Sequence, residues 1–306
     1  MRIDPFTRDH APVPGEPEPL APGVVAVTAP NAGPMTFTGT RSYLLGATDV
    51  AVIDPGPDEQ GHLDALTAAL PTGARVTAIL VTHAHRDHCA GARALQDRVG
   101  APIFGFGARP RSAAMARLAA AGGLGGGEGM DARFAPDVTL ADGAMVTGAG
   151  WRLEAVHTPG HLGDHLCFSW REGGALFSGD MVMGWATTLI SPPDGDLGAF
   201  LASLRRLQRR DERVYFPGHG GPVRDPQAML TWQLAHRAER EAQIRAALSS
   251  GPTNVAALVA TVYPDLDPAL RLAAGRNVLA HLIDLAERDL ATSHGPLDAT
   301  AVFALT

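Results

Sequence analysis

The 306-residue sequence contains no lysine: its 25 basic residues are all arginine, and 32 acids leave a formal net charge of −7. An acidic balance gives no general attraction for polyanions, so any nucleic-acid role must rest on a local basic patch. Cysteine is nearly absent. Cys89 and Cys167 stand without CxxC spacing, which excludes a disulfide scaffold and a thiolate zinc site and points to a cytoplasmic address. No apolar run reaches the roughly 18 residues needed to cross a bilayer, so no membrane partner is expected. The opening MRIDPFTRDHAPVPGEPEP carries acids and prolines where a secretory signal needs a continuous apolar stretch. What the chain does have is 45 % hydrophobic residues, against 19 % charged, enough for one large core and a small appended domain.

Short apolar runs at Val24–Thr28, Tyr43–Leu45, Val50–Ile53 and Val76–Val81 predict strands, with helices over His62–Leu70, Gly91–Arg98 and Pro110–Ala121. The run GGLGGGEG that follows is too rich in glycine to hold one backbone state and is expected to be a flexible loop. Strands return at Trp151–His157, His165–Trp170, Ala175–Ser178 and Val214–Phe216, with a helical stripe at Leu197, Phe200, Leu201, Leu204 and Leu207 between the last two. Such alternation in two halves implies sheets covered by helices, either a sandwich of two sheets or one doubly wound sheet. Beyond Pro226 a long helix runs to Leu248 and stops at Ser-Ser-Gly-Pro. Helices near Asn254–Val262 and Pro268–Glu287 and a strand at Ala301–Leu305 complete the tail. The expected division is a catalytic domain over 1–225, a connecting helix over 226–250 and a small domain over 251–306.

Chemistry concentrates at strand ends. Thr82-His83-Ala84-His85-Arg86-Asp87-His88 places three imidazoles and a carboxylate after a buried strand. His83 and His85 are two apart, so an extended backbone puts them on one face, able to share an ion. Asp87 and His88 follow as the chain turns into a helix. Three further strands end in ligand-type residues: His157 in His-Thr-Pro-Gly-His, Asp180 in Ser-Gly-Asp, and His219 in Pro-Gly-His-Gly. Scattered histidines of no consequence are the bland explanation, but four independent strand ends of this kind favour a metal site. Imidazole and carboxylate donors suit zinc and also admit manganese or iron.

In this order, HxHxDH, HTPGH, SGD and PGHG resemble the metallo-β-lactamase superfamily over about Val24–Val223. The resemblance implies an α/β fold, an αββα sandwich with two divalent metal ions at one sheet edge. It implies His83, His85 and His157 on the first ion, Asp87, His88 and His219 on the second, and Asp180 bridging them. True β-lactamases of the family have no bridging aspartate here, and the diiron oxygen-reducing branch has an acid in place of His85 and a flavin domain behind. Both departures point away from those activities. The Gly33–Thr40 loop, the Pro192–Asp196 stretch and His236-Arg237 look like the branch with a C-terminal winged helix, whose members include a mitochondrial endoribonuclease.

Two ions about 3.5–4 Å apart lower the pKa of a shared water from 15.7 towards 7, giving a bridging hydroxide as nucleophile. Asp180 and Asp87 are the expected catalytic residues, one bridging and one orienting. His161 and His165 are candidate proton donors or supports for the ligands, and Thr82 and Asp54 are expected to hold ligands from behind. Cys89 reads as core. Met35, Phe37, Met183, Trp185 and Ile190 could form an apolar substrate wall, although core packing explains such residues more often.

Three functions compete: hydrolysis of a small-molecule thioester, ester or lactone, phosphodiester or single-stranded RNA cleavage, and a winged-helix nucleic-acid-binding regulator. The segment Gly251–Thr306 holds three arginines against six acids, which weighs against both nucleic-acid readings and against duplex DNA binding. The tail is expected to cover the site or pair subunits in a homodimer, and to be removable without loss of metal, since every expected ligand precedes Val223.

Overall fold

The computed structural model describes residues 4–122, 129–295 and 300–306; most of the glycine-rich run expected to be a flexible loop lies outside them. The first half builds a sheet in the order β1 (Pro17–Ala21), β2 (Val24–Thr28), β3 (Arg41–Leu45), β4 (Asp49–Ile53), β5 (Arg75–Leu80), β6 (Ile103–Gly105) and β7 (Val138–Thr139). Pairing is antiparallel to β4 and parallel from there on. Helices α1 (Gln60–Ala68), α2 (Arg86–Cys89), α3 (Ala92–Val99) and α4 (Ala113–Ala121) interrupt it. The second sheet runs β12-β11-β10-β9-β8, from β8 (Met145–Gly148), β9 (Trp151–His157), β10 (Leu166–Trp170), β11 (Ala175–Gly179) and β12 (Val214–Pro217), with α5 (Leu197–Leu207) joining the parallel pair β11 and β12.

Strand alternation sorts the core. Ala51 and Ile53 of β4 meet Leu166 and Phe168 of β10 between the sheets. Val50 and Val52 turn the other way, towards Leu63 and Leu66 of α1 and Leu95 of α3. Cys167, between Leu166 and Phe168, faces Phe200 and Leu204 of α5. Each sheet therefore has one face against its partner and one under helices, a four-layer αββα arrangement. Cys89 lies in the first helix-covered layer, a core residue as expected.

The proline-rich opening departs from expectation by forming a strand. β1 carries Pro17 and Pro19 but lies at the edge of its sheet, where a missing N–H leaves no inner ladder bond unmade. Past the sandwich, α6 (Pro226–Leu248) leads to β13 (Thr253–Asn254), α7 (Val255–Val262), α8 (Arg271–Glu287), β14 (Ala291–His294) and β15 (Val302–Leu305), the last three strands forming a small sheet in the order β13-β15-β14. Leu258, Leu282 and Phe303 of this tail share one apolar cluster with Ala114, Met115 and Leu118 of α4. Among the described residues no helix is long and apolar enough to cross a membrane.

Candidate metal centre

The loops after β4, β5, β9, β11 and β12 converge at one edge of the sandwich. They bring together two groups of potential ligand atoms: His83, His85, His161 and Asp180 in one, and Asp87, His88 and His219 in the other. The second group has the sharper geometry. His88 Nε2 is 3.3 Å from His219 Nε2 and 3.3 Å from Asp87 Oδ2, which is 3.4 Å from His219 Nε2. Asp180 Oδ1 closes the figure, 3.5 Å from His88 Nε2 and 3.4 Å from His219 Nε2. Ligand atoms about 2.0–2.1 Å from a tetrahedral zinc stand about 3.3–3.4 Å apart, a spacing that these distances fit. In the first group His85 Nδ1 lies 2.9 Å from His83 Nε2 and 3.0 Å from His161 Nε2. The other oxygen of Asp180 faces this group, 3.6 Å from His161 Nε2 and 4.0 Å from His83 Nε2. One carboxylate thus presents one oxygen to each group. Among the described residues the buried Asp180 Oδ1 has no hydrogen bond of good geometry, only the two imidazole nitrogens at 3.4–3.5 Å, and a cation would satisfy it.

The fit extends to the backs of the rings. His88 Nδ1 donates to Asp54 Oδ2 at 2.9 Å, and His161 Nδ1 donates to the carbonyl of Leu189 at 2.9 Å. Thr82 Oγ1 donates to Asp54 Oδ2 at 2.8 Å and takes the proton of His83 Nδ1 at 2.9 Å. His219 Nδ1 points at the carbonyl of Gly39, 3.4 Å away. Each of these rings has its Nδ1–H directed at protein and its Nε2 turned to the centre. His165 is also a support: its Nε2 accepts the backbone N–H of Asp180 at 3.1 Å and its Nδ1 meets Thr158 Oγ1 at 2.9 Å. Packing at the junction tolerates no side chain at Gly218, where a Cβ would fall 2.5 Å from both Asp180 Oδ1 and His88 Cε1.

His83, His85, Asp87, His88, Asp180 and His219 stand where the sequence reading expects them, but His157 does not. It remains in β9, its ring stacked on Phe106 at 4.1 Å and its Nε2 2.9 Å from the carbonyl of Gly163. The place assigned to it is taken by His161, four residues on. The cause is the Pro159-Gly160 turn, which folds the chain back over the sheet edge. Gly160 has φ +144°, and a Cβ there would lie 2.3 Å from Phe200 Cα, so only glycine makes the turn. The available signal was the doubled histidine in HTPGH: the second one follows the turn, and tight turns carry the chain to the strand-end cleft.

The expected apolar wall divides. Met183 and Ile190 are buried core. Phe37 and Trp185 stack in parallel at 4.9 Å, and Trp185 covers Gly220 beside His219, with its Cδ1 3.1 Å from a Cβ placed there. Met35, on the same loop as Phe37, is 50 % exposed.

Burial and charge separate the histidines. Burial holds His83 well below its ordinary value and, together with His161, lowers His85 to about 3, so both rings are neutral donors at pH 7. For His219 burial opposes the charge, but the Asp180 and Asp87 carboxylates outweigh it and raise the ring to about 9. His88 is raised against burial by Asp87, Asp180 and Asp54. A proton therefore occupies His219 in the ion-free protein below about pH 9 and must leave when a cation enters. Apparent affinity for a divalent ion at the second group is expected to rise about tenfold per pH unit for each proton displaced, up to that value. Calorimetric titration at pH 7 in two buffers of different ionisation enthalpy should record proton release. No release would mean that His219 is already neutral.

Residues 35–219 match the metallo-β-lactamase superfamily, and residues 255–298 match the β-lactamase-associated winged helix domain. An atrochrysone carboxyl ACP thioesterase of Aspergillus terreus is 30 % identical over 241 residues, covering 77 % of this chain and 66 % of that protein. The chain thus spans just under two thirds of that relative's length. A β-lactamase-like protein 2 homolog of Drosophila melanogaster is 30 % identical over 279 residues, 87 % of this chain and 88 % of the other. A solved metallo-β-lactamase family protein from Thermus thermophilus superposes with a TM-score of 0.74 at 28 % identity, covering 94 % of this chain and 99 % of that one. Since the family match takes in both ligand groups and most of the sandwich, the chain belongs to the metallo-β-lactamase superfamily of metal-dependent hydrolases, with the associated winged helix at its C-terminal end.

Proposed function

We propose that this protein is a binuclear metal-dependent hydrolase of a small-molecule thioester, with an ester or lactone as the nearest chemical variants. The observation that carries the reading is the pair of ligand groups joined by the two oxygens of Asp180, with His161 in place of His157. The donor set of imidazoles and carboxylates fits two divalent ions, zinc first, with manganese or iron as the alternatives. When bound, such a pair lowers the pKa of a water enough to supply hydroxide at neutral pH. The protein's own part is positional. Asp87 is the more open of the two carboxylates; its Oδ2 accepts the Thr40 hydroxyl at 2.8 Å, which fixes it at the mouth to orient the attacking water. Attack on the thioester carbonyl adds one oxygen to the acyl carbon and breaks its bond to sulfur. The products are a carboxylic acid and a thiol, and the proton lost by water leaves with the sulfur.

A thioester is favoured by the surroundings of the site and by its relatives. The Phe37–Trp185 stack and exposed Met35 offer an apolar lip beside the second group, suited to an acyl chain or ring and unsuited to a phosphate track. A relative that is 30 % identical is named as an acyl carrier protein thioesterase. The test is a panel of aromatic and aliphatic thioesters, lactones and single-stranded RNA, run with metal-loaded protein and an Asp87→Ala control. Turnover of thioesters above the others, lost in the control, is expected. RNA cleavage that Asp87→Ala abolishes, without thioester turnover, would replace this reading with the nuclease one.

A further inference from the structure

Two ligands of the first group are held by one short segment, Thr188-Leu189-Ile190. Thr188 Oγ1 donates to the backbone carbonyl of Asp180 at 2.7 Å, and the carbonyl of Leu189 takes the Nδ1 proton of His161 at 2.9 Å. Among the described residues the segment has no strand partner. It is held from outside the sandwich by the two long helices of the C-terminal region. Asn277 of α8 accepts the N–H of Ile190 on its Oδ1 at 3.1 Å, and the same oxygen accepts Arg237 Nη1 of α6 at 3.1 Å. Arg237 also donates through Nη2 to the carbonyl of Thr188. The residue is 4 % exposed, and its guanidinium lies 5.5 Å over the ring of Phe200, the residue against which the Gly160 turn is packed. A buried guanidinium that spends its donors on carbonyl and amide oxygens costs several kcal/mol of desolvation, so its placement calls for a compensating role.

We infer that Arg237 and Asn277 are positioning residues for the first metal group: by fixing the Thr188–Ile190 segment from α6 and α8, they set the direction of His161 and the backbone of Asp180. The inference rests on the binuclear reading above. It makes α6 and α8 part of the metal site's support, so removing the region beyond Gly251 is expected to weaken the first site through the loss of Asn277 while leaving its ligands in the chain. Losing a support behind a ligating imidazole lowers metal affinity about 10–100-fold, because the ring is no longer held in the tautomer and orientation that bind.

The test uses the full chain and zinc ions in competition with a chromophoric chelator, with cobalt(II) absorption as a second readout and a His161→Ala variant to identify the first group's step. Wild type should bind two ions. Asn277→Ala, which acts on the segment that holds His161, should weaken the first-group step by about 10–100-fold, alter its cobalt spectrum and leave the second within about threefold. Thr188→Val, which loosens the shared Asp180, should weaken both steps. Neither should change the melting temperature of the ion-free protein much. Arg237→Lys should lose less affinity than Arg237→Met, since an ammonium can still reach the Thr188 carbonyl but cannot serve Asn277 in the same fork. If Arg237→Met fails to fold, the other two variants decide. Wild-type affinity at both steps in Asn277→Ala and Thr188→Val, or equal weakening of both steps in Asn277→Ala, would overturn the inference. A wild type that binds no zinc or cobalt would overturn the binuclear reading itself.

Discussion

Asp180→Ala is expected to lower kcat by roughly 10²–10³-fold, the scale on which losing one preorganised electrostatic group at a reacting centre is felt. The reason is geometric. Its Oδ1 completes the second group at 3.4–3.5 Å from two imidazole nitrogens, and its Oδ2 faces the first, so one substitution opens both. The carboxylate also supplies the largest charge holding the proton on His219, and without it that ring should fall from about 9 towards its ordinary value. Folding should suffer far less, since no apolar contact is lost. Comparing melting temperatures in chelator with activity after metal loading separates the two effects. An active Asp180→Ala enzyme would show that this carboxylate does not join the groups.

The second large effect is on stability. Asp54, 2 % exposed, accepts the Thr82 backbone N–H at 2.7 Å, the Thr82 hydroxyl at 2.8 Å and His88 Nδ1 at 2.9 Å. Asp54→Ala leaves these donors buried without an acceptor, and breaking a buried charged pair of this kind costs about 3–5 kcal/mol. The backbone adds to the loss, because Asp54 sits at φ +51°, a left-handed conformation that aspartate and asparagine tolerate better than alanine. Asp54→Asn keeps the conformation and one acceptor oxygen and should fall between wild type and alanine. Denaturant unfolding of the ion-free proteins measures all three. An alanine variant within about 1 kcal/mol of wild type would mean that water replaces the carboxylate.

These sites show how far residue order alone carries. The unbroken apolar run Val50-Ala51-Val52-Ile53 made a buried strand legible, and HxHxDH named four ligand-type residues that the structure brings to one sheet edge, because both are local patterns. His157 failed where locality ends. Which histidine of HTPGH enters the cleft depends on a turn that is shaped by Phe200, forty residues away in sequence. The Thr188–Ile190 segment was illegible for the same reason: its partners are Arg237 and Asn277, and nothing in its own residues names them. The strand at Pro17–Ala21 was hidden by its prolines, whose permissibility depends on an edge position that only the assembled sheet defines.

The apolar cluster shared by α4 and the tail bears on the order in which the chain can complete itself. Ala114, Met115 and Leu118 emerge early in synthesis, yet the residues that share their cluster, from Ile244 and Leu248 of α6 to Leu258, Leu282 and Phe303, come only after both sheets. Between those moments the nascent protein carries a sticky helix on its outside, with both sheets otherwise ready to close. A ribosome stalled near the long α6 helix would release a product that is exposed to chaperones and proteases at α4, and loss of the final residues would be felt first as aggregation.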